Sequence, residues 1–290
     1  MESPTQAPGD GISRLIAQYF ELVDLKHLAI PSSSVLKTPI TQQHIYDDMF
    51  NEDLLSPLIP PATYRLRVLK QIIARIENDQ QWDPEEDEII EPLMMAMTDL
   101  MSQPSNHHSS EMMMMADAEE PQLSFVSYMV PTSAAALTDR ERKQVTTFES
   151  RGLIYGSGST GFRTWEAALH LGTYLASSDV VRGKKVIELG AGTGFISLLC
   201  KKFLGAERVL MTDGNVKLVD LFNGPCLEQN SFLTENAKDE AIQGRQWFWG
   251  EPLLLEGEDD EDNKELVPEQ FDIALGADLR FSRGLSILDH

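Results

Sequence analysis

Between Asp10 and Ile30, the apolar residues Ile12, Leu15, Ile16, Tyr19, Phe20 and Val23 recur at helical spacing, and Asp10 is placed as a possible cap. A loop holding Pro31 and Pro39 follows, and a second helical stretch is predicted around Ile45 to Leu55. After Pro60 and Pro61, Leu66, Leu69, Ile73 and Ile76 line one face of a third helix. A fourth is predicted from Glu85 to Met101, with Pro84 near its first turn. No segment before residue 102 alternates like a strand with comparable strength. Residues 8–101 are therefore predicted to be a small helical N-terminal domain.

The pattern then changes. Residues 102–122, "SQPSNHHSSEMMMMADAEEPQ", are polar, acidic and repetitive without a period, and read as a linker. From 123 onwards strand and helix signals alternate. "LSFVSYMV" alternates like a strand, and "VTTFESRGLIYG" is predicted to carry two short strands around Gly152. A glycine-rich loop leads into a helix within 156–177. "KKVIELG" then reads as a strand, "GFISLLCKKFL" as a helix, "RVLMTD" as a strand and "NVKLVDLFNGPCLEQN" as one helix. "GRQWFWG" is the next predicted strand. The acidic run "EGEDDEDNKE" (256–265) is a solvated loop before the strand "FDIALGAD". This alternation predicts an α/β fold over 123–290 with a doubly wound parallel sheet.

Composition narrows the function. The chain has 290 residues, 42% of them hydrophobic, enough for a sizeable core. It has no run of about 20 apolar residues of the kind that spans a bilayer. The start "MESPTQAPGD" lacks signal-peptide features, so a soluble, cytoplasmic protein with no membrane partner is expected. The net charge is −22, from 24 basic and 46 acidic residues. Such a balance disfavours nucleic acid and suits a basic protein surface as partner. Cys200 and Cys226 are the only cysteines and read as buried free thiols. His107 and His108 lie on a polar loop without further ligands, so no metal site is predicted.

The chemistry centres on "VIELGAGTGF", residues 186–195. A phosphate loop would need Lys and Ser or Thr after the last glycine, where this chain has Phe195 and Ile196. A dinucleotide fingerprint would need a glycine where Phe195 stands. What remains is E-x-G-x-G-x-G, with Glu188 ahead of Gly190, Gly192 and Gly194. That spacing resembles the first motif of the S-adenosylmethionine-dependent methyltransferases. Glycines let backbone approach a ligand closely. Glu188 supplies negative charge suited to a ligand with an ammonium and a sulfonium, and Asp213 ends the next strand, where a carboxylate accepts ribose hydroxyls. Trp165 and Trp249 are placed to pack against a cationic cofactor. A nicotinamide-dependent oxidoreductase is the rival reading of this sheet.

"GSGSTGFRTWEAAL", "VIELGAGTGFISLL", "VLMTDGN" and "GAD" followed by "LRF" resemble the protein-lysine methyltransferases that modify translation elongation factor 2, over most of residues 10–282. That family belongs to the seven-strand, Rossmann-like class and carries a helical N-terminal region. The resemblance implies that Trp165, Gly190, Ala191, Gly192, Asp213, Trp249 and Ala277 contact S-adenosylmethionine, beside Glu188 and Gly194 from the glycine motif. It implies that Asp278 and Phe281 lie near the incoming lysine, where a carboxylate orients the ammonium and an aromatic face lines its channel. Methyl transfer needs alignment and a neutral amine, so no residue is assigned as a proton-transfer catalyst.

The resemblance also implies further strands and helices after the last motif, whereas nine residues follow Phe281 here. The sheet is therefore expected to hold roughly four of its strands, with "FDIALGA" as an apolar edge. The chain is expected to be either C-terminally truncated or completed by a partner. "DLRF" stands where the family has "DVTY", which puts Arg280 near the expected lysine. A truncated, inactive cofactor- or partner-binding relative is the alternative to an active enzyme.

Overall fold

A computed structural model describes residues 8–78, 87–103, 123–130, 143–150, 160–234, 237–253 and 270–279. The chain divides into two compact units, Met1–Met129 and Val130–His290.

The first unit contains α1 (Pro8–Phe20), α2 (Ser33–Leu36), α3 (Pro39–Ile45), α4 (Glu52–Leu55), α5 (Ala62–Glu77) and α6 (Glu91–Ser102), and ends in strand β1 (Ser124–Met129). The predicted apolar stripes form its core. Leu15, Ile16 and Tyr19 from α1 pack with Val68, Leu69, Ile72 and Ile76 from α5, all fully buried. Tyr19 turns its hydroxyl inward and donates to the Met49 carbonyl at 2.6 Å. Burial pushes its phenol well above the ordinary value.

Two predicted helices are corrected. The stretch assigned to Ile45–Leu55 begins earlier, because Thr38 caps Thr41 N–H and Pro39 opens α3. It then passes through a π-turn at Tyr46–Phe50 and breaks at Asn51, whose φ and ψ are −76° and 98°, before α4. The fourth helix starts at Glu91, not Glu85: residues 87–90 are not helical. Pro92 has no N–H to give the Glu88 carbonyl, so the helical ladder is not continued back to that residue. Instead, the buried Gln42 side chain donates to Glu88 O (3.1 Å) and accepts from Ile90 N–H (2.9 Å).

The second unit contains β2 (Gln144–Glu149), α7 (Glu166–Ala176), β3 (Lys185–Leu189), α8 (Phe195–Lys202), β4 (Arg208–Asp213), α9 (Val216–Leu221) and α10 (Leu227–Gln229). A short antiparallel pair follows, β5 (Leu233–Thr234) with β6 (Ala237–Lys238), and then β7 (Ile242–Gln246) and β8 (Ile273–Leu275). β3, β4, β7 and β8 form a parallel sheet in the order β7-β4-β3-β8. Ile187 sits opposite Leu210 on one side and Ala274 on the other. The strand–helix alternation read in the sequence thus produces a parallel, Rossmann-like sheet, and β8 lies at the edge of its described part.

Three local readings differ. The helix predicted over 215–230 is interrupted by a π-turn at Phe222–Cys226, where Pro225 cannot supply a helical N–H. The strand placed on "GRQWFWG" ends at Gln246, so all three of its aromatic residues lie beyond it. The β5–β6 hairpin was not foreseen. The second strand around Gly152, the histidine pair, the acidic insert, Arg280 and Phe281 lie outside the described residues.

Candidate active site

Strand order fixes where a ligand fits. From β3 the chain winds through β4 to β7 on one side, then crosses to β8 on the other. Loops leaving β3 and β8 therefore diverge, which opens a crevice at the carboxyl ends of these strands. A cavity of about 280 Å³ lies there. Glu188, Gly190, Ala191, Gly192, Asp213, Trp165, Trp249, Ala277 and Asp278 all line it. One predicted contact does not. Gly194 sits at the N-cap of α8 with φ +73°, and a Cβ there would overlap the ring of Phe222. Its role is packing, because the helix must start against a buried aromatic ring.

The glycine turn is a backbone cradle. Gly192 has φ +56°, and a Cβ on it would lie 2.9 Å from the Gly161 carbonyl oxygen, so two main chains touch there. Asp213 holds this turn: Oδ2 accepts from Gly192 N–H and Oδ1 from Asn215 N–H, both at 2.9 Å. Each carboxylate oxygen has a further lone pair for a ligand hydroxyl. On the far wall, Asp278 adopts φ +54°, a conformation its short polar side chain tolerates better than most.

Glu188 is buried within β3. Its Oε2 accepts from Ser197 N–H at 2.8 Å and from the Ser197 hydroxyl, tying the strand to the first turn of α8. Burial pushes its carboxyl up to about 7, helped by the nearby Asp213 charge and opposed by the Ser197 hydrogen bonds. Both cysteines are buried, and loss of solvation pushes each thiol up to about 12, so neither is poised as a nucleophile.

Trp165 precedes α7 and donates from its indole to the Thr160 carbonyl at 3.0 Å. The Arg163 guanidinium lies 5.2 Å from its ring centre. Trp249, on the loop after β7, remains partly exposed and faces Gly190. The two tryptophans thus stand on the same cavity.

The sequence profile of the lysine methyltransferase family matches residues 153–284. The chain is also 36% identical, over 271 residues, to protein-lysine N-methyltransferase EFM3 of Chaetomium thermophilum, covering 93% of this chain and 73% of that protein. The chain belongs to the lysine methyltransferase family. A second relative is protein-lysine N-methyltransferase EFM3 of Saccharomyces cerevisiae, 35% identical over 147 residues, 46% of this chain and 39% of that protein. EEF1A lysine methyltransferase 3 of Xenopus tropicalis is 31% identical over 116 residues, 40% of this chain and 43% of that protein.

Within this lysine methyltransferase, several cavity residues were missed by the sequence reading: Thr160, Gly161, Arg163, Thr164, Ala168, Thr193, Phe195 and Leu279. Five of these lie in the run "TGFRTWEAAL", in which the resemblance singles out only the tryptophan. Nothing in the run shows that its start folds back onto the glycine turn.

Proposed function

We propose that this chain transfers a methyl group from S-adenosylmethionine to the side-chain amine of a lysine on translation elongation factor 2, in the cytoplasm. The observation that carries the reading is a cavity at the switch between β3 and β8. It brings the glycine turn, Asp213 and two tryptophans together on one ligand-sized space. When bound, the cofactor supplies an electrophilic methyl group on a sulfonium. Gly190 and Gly192 would let backbone approach it closely, Asp213 would accept from ribose hydroxyls, and Trp165 and Trp249 would shield the cationic region from water. Asp278 orients the lysine, and the family resemblance assigns Phe281 to its approach. The reaction forms an N–CH3 bond as the S–CH3 bond breaks, and the amine proton goes to solvent.

The acceptor is proposed from the resemblance to elongation factor 2 modifiers and from the chain's charge of −22, which attracts a basic surface. The relative named for EEF1A supplies the competing substrate. Incubating the chain with labelled S-adenosylmethionine and each purified factor, followed by mass spectrometry of tryptic peptides, tests the choice. Methyl-lysine on elongation factor 2 alone is the expected result. Label on EEF1A alone would move the substrate assignment while leaving the chemistry in place.

Glu188 adds a pH dependence. A cationic ligand favours its ionised form, so cofactor affinity is expected to rise with pH and level off above about 7. Between pH 8 and pH 6 the loss should be about tenfold, as the ionised fraction falls from about nine-tenths to about one-tenth. Calorimetric titration at both values checks this, and Glu188→Gln should flatten the profile. The same raised carboxyl contributes stability below its ordinary value of 4.5 that is lost as pH climbs through about 7.

A further inference from the structure

β2 ends in Glu149, a fully buried carboxylate. A buried charge persists only where its oxygens are hydrogen-bonded. Glu149 Oε1 accepts from the Thr147 hydroxyl at 2.6 Å and from the Thr164 hydroxyl at 3.1 Å. Oε2 accepts from Thr164 N–H at 2.9 Å. The Thr164 hydroxyl lies 2.7 Å from that of Thr193. Thr164 has one hydroxyl proton; when it goes to Glu149, Thr193 is the donor in that pair. A directed chain then runs from Thr193 on the glycine turn, through Thr164, to Glu149. All four residues are buried.

Two loops far apart in sequence meet here. Gly161 touches Gly192 through backbone, and Thr164 touches Thr193 through side chains. Thr164 directly precedes Trp165, which lines the cavity, and Thr164 and Thr193 line it themselves. The Glu149 carboxylate lies behind them, outside that lining. We propose that Glu149 is a positioning residue of the cofactor site: through the Thr164–Thr193 relay it fixes the gap between the glycine turn and the tryptophan loop. The inference rests on reading the cavity as the S-adenosylmethionine site. A carboxylate suits this place because it accepts from Thr147 and Thr164 at once and donates none, which forces the Thr164 and Thr193 hydroxyls to point the same way along the chain. Glutamine would keep the volume but present an amide N–H2 to hydroxyls oriented to donate.

The test is calorimetric titration of the full chain with S-adenosylhomocysteine. Wild type is expected to bind. Glu149→Gln should bind about tenfold more weakly, and Thr193→Val about threefold to tenfold more weakly. The relay predicts coupling: the double variant should bind as weakly as Glu149→Gln alone, with no further loss from Thr193→Val, because the chain is already broken. Should Glu149→Gln fail to fold, Thr193→Val decides the matter, with Thr193→Ser recovering most of its loss. Steady-state kinetics adds a second readout: KM for S-adenosylmethionine should rise in these variants, with KM for the protein substrate unmoved. Multiplying losses in the double variant, or wild-type affinity in Thr193→Val, would overturn the relay while leaving the cofactor reading intact. Failure of the wild type to bind would overturn both.

Discussion

Replacing Asp213 by alanine is expected to weaken cofactor binding at least about 100-fold. Its carboxylate has two tasks, and both are lost together. It accepts from Gly192 N–H and Asn215 N–H, each at 2.9 Å, and so shapes the glycine turn before any ligand arrives. In the proposed complex it also accepts from the ribose hydroxyls. Hydrogen bonds to a charged group contribute about 1.5–3 kcal/mol each, so loss of two gives about 3 kcal/mol or more. That corresponds to at least about two powers of ten in affinity. Asp213→Asn should fall between wild type and alanine, since it keeps one acceptor oxygen but turns an N–H2 toward a backbone donor. Titration with S-adenosylhomocysteine measures the effect. Affinity within threefold of wild type in Asp213→Ala would remove this residue from both tasks.

The largest effect on folding is expected at Gly194, which stands outside the cavity. Gly194→Ala forces a Cβ into a left-handed conformation, costing about 1–2 kcal/mol. The same Cβ would overlap the ring of Phe222, itself only 1% exposed and unable to swing into solvent. Overpacking of this kind costs about 1–3 kcal/mol. A total near 3 kcal/mol is a large fraction of the stability of an ordinary domain. It should lower the melting temperature of the second unit by about 6–12 °C. The overlap makes a further demand: in a Phe222→Leu background, Gly194→Ala should cost measurably less, because the two sites share one space. Thermal melts of the four proteins read this directly. Equal costs in both backgrounds would mean that backbone strain, and not the ring, sets the penalty.

The helical stripes of Ile12 to Tyr19 and of Leu66 to Ile76 were legible because one side of each helix must face apolar neighbours, and that requirement writes a period into the chain. Breaks in regularity were harder to place. Pro92 was in plain view, yet its effect on the start of α6 depends on Gln42, nearly fifty residues away, taking the Glu88 carbonyl. Likewise, Pro225 signals an interrupted helix, but a π-turn that keeps the chain running needs the packing of Phe222 and Cys226 to hold it. Gly194 shows the same limit within the site. Its spacing matched a ligand loop, while its neighbour in space is a phenylalanine from the next helical segment.

What the sequence by itself determined is the chemistry offered by short segments: a strand entering three glycines, carboxylates at strand ends, and a family signature in contiguous residues. Each is set by local sterics and by the few residue types that tolerate such backbone. Only the tertiary structure decided which segments share a cavity. Glu149, Thr164 and Thr193 belong to three separate stretches and carry no common spacing. They meet because β2 and the parallel sheet bring their loops to one place, where a buried carboxylate must find donors whatever their distance along the chain.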